Sequence, residues 1–327
     1  MGIAVWLVGP ERLRAQLEQI DRRCFGAALV LAALAQWTSV ARWVSIARVF
    51  GLRVRTGALA LAYAQGMTVN VLLPGATLGG DALRSVRLQA LGNPLGVSAL
   101  TVLLDRLSGL WILCLLSLLT GLGWLAALAL GAPLGTVSLP GGLGRTGMAA
   151  WLAGYLLALG ALCAIPWLPL RPRLARSGPS AGLAAPASAG PRAGLAARVW
   201  IRLVELHDLA QAQRAALGRT LWLSLVVQVL CAAALWLCLV AAGGRSAYWQ
   251  VQAVAAPVFI AGALPVSYGG FGVREIAALI VFPLVGVPAD LGLAASALYG
   301  ILAVVLGLIA APAFAAAAPG AAGGPGS

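Results

Sequence analysis

The sequence predicts an all-α, polytopic integral membrane protein with two broken, re-entrant helical segments arranged as an inverted repeat. Three observations carry that prediction. Of the 327 residues, 61% are hydrophobic and 9% charged, where a soluble domain carries about 25% charged residues; the mean hydropathy is +0.95. The apolar residues fall into runs of membrane-spanning length separated by arginine-rich stretches. One pattern, Leu-Pro, a short spacer, Gly-Gly, three residues and Arg, occurs twice, as LPGATLGGDALR at 73–84 and LPVSYGGFGVR at 264–274.

Several function classes recede on composition. The net charge of +13 would suggest nucleic acid in a soluble chain, but here the arginines sit between apolar runs, where the positive-inside rule expects them. No nucleic-acid partner is expected. Every basic residue is Arg, which reads as the codon bias of a GC-rich, bacterial genome. Cys24, Cys114, Cys163, Cys231 and Cys238 lie in apolar stretches without CxxC spacing and read as small buried hydrophobes. His207 is the only histidine and lies among Glu205 and Asp208, so neither a histidine-dependent triad nor a histidine metal cluster can form. GGFG lacks the strand, third glycine and acidic residue of a dinucleotide site. No metal, no cofactor and no enzymatic activity are expected, a lipid transferase using buried carboxylates being the remaining catalytic alternative.

Taken in order, residues 1–23 have about nine apolar residues at their start, too few for a span, and read as an interfacial segment. Residues 24–44 make the first span, followed by the basic stretch Arg42, Arg48, Arg53 and Arg55, expected to be cytoplasmic. Residues 57–73 are apolar and helical in character, then break at Asn70, Pro74 and Gly79-Gly80. DALRSVRLQALGN reads as a short amphipathic helix with Asp81 as N-cap, Gly92 as stop, and Arg84 and Arg87 on one face. A long apolar segment over 96–130 carries Asp105 and Arg106. Residues 131–147 read as a periplasmic loop and 148–168 as a span, completing a first membrane half over 24–168. Residues 169–218 read as a cytoplasmic linker and amphipathic helix, with eight Arg between Arg171 and Arg219. The second membrane half, 219–312, has spans at 219–242 and 290–312 around a second broken segment at 249–288, and 313–327 read as a disordered tail.

Counting crossings constrains the first broken segment. The basic loop before it and the linker after residue 168 both read as cytoplasmic, and the two intervening spans already make the round trip. Residues 57–92 must therefore enter and leave on one side as a re-entrant hairpin, and 249–288 do the same from the opposite face. Residues 74–80 and 265–272 are expected to be loops at the hairpin tips, a placement tolerated only where backbone is buried in protein or lines a wet cavity. A tag within 175–195 should react from the cytoplasmic side and one within 132–146 from the periplasmic side; cysteine labelling from the reverse sides at both sites would overturn the scheme.

A charge in hydrocarbon costs roughly 2.5 to 3.5 kcal/mol on insertion scales, so the charged residues of these segments are the candidate site. Gly269, Gly270 and Gly272 precede a helix start near Val273 and are placed to offer backbone N–H groups to an anion. Arg274 supplies a planar fork that matches phosphate, with Glu275 orienting it or responding to protons. The alternative is that Arg274 only neutralises a carboxylate and holds a kinked helix. Asp105 and Arg106 are adjacent, about 100° apart on a helix, and so need other partners; Arg84 suits Asp105 and Asp81 suits Arg106. Asn70 completes the central set, while Pro74, Gly79, Gly80 and Pro265 are read as helix breaks. Two related broken segments of inverted orientation point to a transporter's central site.

ARWVSIARVFG (41–51), NVLLPGATLGGDALR (70–84), LLDRLSGL (103–110) and LPVSYGGFGVREIAAL (264–279), in this order, resemble the lysylphosphatidylglycerol synthase transmembrane family, also described as flippase-like domain proteins. The resemblance spans about residues 24–312 and implies a helical membrane domain that moves lipids between leaflets. Some members carry a cytosolic aminoacyl-transferase domain; this sequence ends after its last span, so that activity is not carried over, and the family's first span looks shortened. The expectation is a multi-pass protein of the bacterial inner membrane that flips a phospholipid or other polar-headed lipid, with anionic or phosphate-bearing membrane lipids as partners. The alternative is a non-transporting lipid-binding accessory or scaffold for envelope lipid biosynthesis.

Overall fold

In the computed structural model the described residues are 20–52, 54–72, 76–130, 145–164, 214–264 and 271–316, and no strand occurs among them. Helix α1 (Arg22–Val49) is followed by α2 (Thr56–Leu72), α3 (Ala76–Ala90), α4 (Leu95–Ala129), α5 (Arg145–Ala164) and α6 (Arg214–Ala241). After these come α7 (Tyr248–Ala263), α8 (Val273–Val281), a 3-10 turn (Phe282–Val285), α9 (Ala289–Ala310) and the short α10 (Ala313–Ala316). Among the described residues, four helical stretches are long and apolar enough to cross a membrane: Arg22–Val49, Leu95–Ala129, Gly218–Ala241 and Ala289–Ala315. The chain is a multi-pass membrane protein.

Helices α1 and α6 lie antiparallel. The Asp21 N–H donates to the Ala241 carbonyl at one end, and Arg42 reaches Ser224 towards the other. Asp21 caps α1 by accepting from the Arg23 and Cys24 N–H groups, bonds that hold its exposed carboxyl below its ordinary value. Small residues line the approach of α6 to α7. Ala232, Ala234, Ala253, Ala255 and Ala256 are all fully buried, and small side chains of this kind let membrane helices approach closely.

Pro257 lies inside α7, so the Ala253 carbonyl, four residues earlier, has no helical donor. The Tyr155 hydroxyl of α5 donates to it at 2.9 Å. One residue earlier, Ser117 of α4 donates to the Gln252 carbonyl at 2.8 Å and accepts from the Ala256 N–H at 3.2 Å. Neighbouring side chains thus satisfy the backbone that proline opens. Tyr155→Phe is expected to cost on the order of 1 to 3 kcal/mol by leaving a buried carbonyl bare. In a Pro257→Ala background, where residue 257 has its own N–H to give, the cost should largely vanish. A thermal-melt double-mutant cycle with no coupling would overturn this account.

Two helical hairpins flank α9. In the first, α2 and α3 run antiparallel: the Gly80 N–H donates to Asn70 Oδ1 at 3.2 Å, and Gly66 packs on the Gly80 carbonyl and the Arg84 stem. Glycine at position 80 is a requirement of this approach, because a methyl group there would collide with Asn70 and the Gly66 carbonyl. Moving along α2, Gln65 donates to the Ala313 carbonyl and Thr68 to that of Gly307, while Asn70 and Val71 share a cavity wall with Ala303 and Leu306. In the second hairpin, α7 and α8, the end towards the middle of α9 is the start of α8 rather than the end of a helix. Phe282 packs on Gly292, and Arg274 and Phe271 pack on Gly300. The two hairpins therefore approach α9 from opposite ends, the first reaching Ala303 and the second Gly300.

Three expectations need correction. Asp81 is not an N-cap: α3 begins at Ala76, which places Asp81 mid-helix with its carboxylate turned to arginines. Gly79 and Gly80, expected as breaks in a loop over 74–80, lie within the same helix; Gly80 is there for close approach rather than for a turn. Arg42, expected at the head of a basic loop, is a buried residue within α1, which continues to Val49. The stop at Gly92 has the positive φ of 86° that favours glycine. Pro74, Pro265, Gly269 and Gly270, with most of 1–23, 131–147, 169–218 and 313–327, fall outside the described residues.

Candidate functional site: a buried arginine–aspartate cluster

Five charged side chains meet where α1, the first hairpin and α4 converge. Asp105, mid-helix on α4 and 1% exposed, accepts from Arg42 Nε at 2.8 Å through one oxygen and from Arg84 Nη2 at 3.1 Å through the other. Asp81, one turn before Arg84 on α3, accepts from Arg106 Nε and Nη2 at 2.9 and 2.8 Å, a bidentate fork. Its 3.5 Å approach to Arg84 Nη1 joins the two halves. Arg84–Asp105 and Asp81–Arg106 are the pairings that the sequence suggested.

Aromatic and small residues shape the cluster. The Arg84 guanidinium carbon lies 4.0 Å from the Trp43 ring and 4.5 Å from the Tyr63 ring, in the corner the two rings make. Trp43 is fixed by its indole N–H to Thr101 and Tyr63 by its hydroxyl to Gln36. Gly109 gives Arg42 passage, since a methyl group there would come within 2.8 Å of Arg42 Nη1. Arg84 Nε is buried without a hydrogen-bond partner.

Arg84 and Arg106 line a cavity of about 160 Å³, together with Asn70, Gln36 and Tyr63. Beside it lies an apolar groove of about 450 Å³ between α1, α2 and α9, lined by residues such as Val30, Ala33, Trp37 and Ile309. Gln36, Tyr63, Met67 and Leu306 line both. A polar chamber thus shares a wall with an apolar groove.

The second half holds a separate pair. Arg274 Nη2 donates to Glu275 Oε1 at 3.0 Å and Arg274 Nε to Ser296 at 3.2 Å, with both side chains buried. Gly272, at φ 99°, gives its N–H to the Glu275 carboxylate. The described member of the expected glycine anion site is thus occupied by the protein's own carboxylate. Arg274 and Glu275 do not join the first cluster, although Gly300, against which Arg274 packs, is one helical turn from Ala303 in the cavity wall.

These features fit a family comparison. The model of the lysylphosphatidylglycerol synthase TM region matches residues 1–311. The chain belongs to this family. That membership places the protein among membrane proteins related to lipid metabolism or transport. A comparison with curated proteins finds no match. Within this family member, the functional candidate that sequence reasoning passed over is Arg42. Its signal was present in WTSVARWVSIAR: unlike Arg53 and Arg55, it lies within the first apolar run, 24–44, and Ser39 and Ser45, three residues either way, are buried with it.

Proposed function

We propose that the protein translocates a phospholipid or other polar-headed lipid between the leaflets of the bacterial inner membrane. The observation that supports this best is the shared wall between the polar chamber and the apolar groove: an amphiphile needs both, side by side. The head group enters against Arg84 and Arg106 while a chain lies in the groove along Val30, Trp37 and Ile309, whose side chains are well exposed to the membrane side. The opposed hairpins support an inverted repeat and hence two gates. The polar chamber lies on the first hairpin, while the described buried charges of the second, Arg274 and Glu275, pair with each other, which favours a second reading, a lipid-binding accessory without transport.

Vesicles with fluorescent lipids in both leaflets separate the two readings. Translocation predicts that dithionite, which bleaches only outward-facing dye, proceeds beyond the outer-leaflet fraction in vesicles that contain the protein. Ala33→Trp, which fills the groove without touching the charged cluster, is expected to slow this at least tenfold. Bleaching that stops at the outer leaflet, with lipid still bound, would favour the accessory.

A further inference from the structure

Two successive rungs of α7 are disturbed, and proline accounts for only one of them. Pro257 has no N–H to give the Ala253 carbonyl, which takes the Tyr155 hydroxyl instead. The neighbouring rung, between the Gln252 carbonyl and the Ala256 N–H, has both of its own partners. Ser117 of α4 nevertheless bridges them, donating to the carbonyl at 2.8 Å and accepting from the N–H at 3.2 Å. Proline and a side chain inserted into the ladder are both recognised causes of a helix kink, and here they act on adjacent rungs.

Every group in this bridge has a second partner to turn to. The Ala256 N–H and the Gln252 carbonyl are the i→i−4 pair of an unbroken helix. A helical serine can return its hydroxyl to the carbonyl four residues back, which for Ser117 is that of Leu113; Thr120, three residues on, does this with Leu116 at 2.7 Å. The bridged and closed forms of the rung therefore satisfy the same backbone groups, the condition for two arrangements of similar energy. The bridged form also leaves the Gln252 Nε2 donor buried without a partner, so better pairing does not lock it in place.

The two ends of α7 are held by different parts of the molecule. At its start, Gln250 donates to the Val285 carbonyl at 2.9 Å, and Trp124 of α4 donates to the adjacent Leu284 carbonyl at 2.8 Å. Beyond Pro257, Gly262 packs on the Arg274 stem, and Arg274 rests on Gly300 of α9, one turn from Ala303 in the chamber wall.

We propose that α7 is a hinge at residues 252–257. The Ser117 hydroxyl inserts into and withdraws from the Gln252–Ala256 rung, and residues 257–263 tilt against the fixed start of the helix. Their contact with Arg274 carries the tilt to α9 beside the chamber. The hinge does not depend on what the chamber binds.

The test uses the full-length protein in lipid nanodiscs, with its native cysteines replaced and a fluorine label on a cysteine introduced at Leu264, the exposed C-cap of α7. Fluorine NMR should report two states, as two resonances or as exchange resolved by relaxation dispersion. Ser117→Ala removes the bridging hydroxyl and Pro257→Ala restores the missing rung; each should shift the ratio by about tenfold or more towards the same state. Ser117→Thr keeps the hydroxyl and should retain both states, which a role in packing alone would not predict. Should Ser117→Ala fail to assemble, Pro257→Ala carries the same expectation. A single resonance without exchange in the parent makes the bend a rigid kink and overturns the proposal. Two states whose ratio stays within about twofold in both alanine variants overturn it as well, because the motion then runs elsewhere.

Discussion

Asp105→Asn is expected to lower the thermal midpoint of the detergent-solubilised protein by roughly 10 °C, given about 3 to 5 kcal/mol for removing one partner of a buried ion pair and a few degrees per kcal/mol. Asp105 is the only described carboxylate in contact with Arg42, and it also holds Arg84. An asparagine keeps the shape and loses the charge, so both guanidiniums are left in a buried setting with too few acceptors. Combining it with Arg42→Gln restores the original excess of one positive charge and should recover a substantial part of the loss. If Asp105→Asn is as stable as the parent, the cluster is not the electrostatic keystone of the first hairpin.

Glu275→Gln should be the second most damaging single change. The Glu275 carboxylate accepts from Arg274, Ser296 and the Gly272 N–H, and an amide in its place removes the only described carboxylate paired with Arg274. A loss of about 3 kcal/mol follows from the same asymmetry between breaking and replacing a buried pair. Arg274→Lys separates structure from transport. A lysine keeps the charge but loses the planar fork that spans Ser296 and Glu275. Expression and insertion are expected to stay near wild type while lipid translocation falls at least tenfold. Full activity in Arg274→Lys would make the pair a structural neutralisation and remove it from the translocation path.

The spans at 24–44, 96–130, 219–242 and 290–312 were legible because hydrophobic runs of membrane length have one physical meaning, whereas 148–168, also read as a span, contains the shorter apolar helix Ala149–Ala164. The pairs Arg84–Asp105 and Asp81–Arg106 were legible because adjacent residues on a helix diverge and buried charges require partners. What the sequence concealed was long-range. Arg42 lies 63 residues from Asp105, and a basic residue near a helix end reads as an anchor until the helix is seen to continue. Asp81 misled for a related reason: an acidic residue after Gly-Gly has the local signature of a cap, and only the three-dimensional approach of Gly80 to Asn70 explains those glycines otherwise. The paired Glu275 was legible as a neighbour of Arg274 but not as the occupant of the Gly272 N–H, because that depends on a positive-φ backbone.

Gly300 and Ala303 bring the contacts of the two hairpins onto one turn of α9. Three residues separate the contact of Arg274 from the wall of the polar chamber, about 4.5 Å at helical rise. A methyl group at position 300 would collide with Arg274 Nη2 and the Phe271 ring, so this turn of α9 must shift to admit it, and a shift there carries the chamber wall with it. Position 300 is thus where a change beside the second hairpin is expected to be felt by the first.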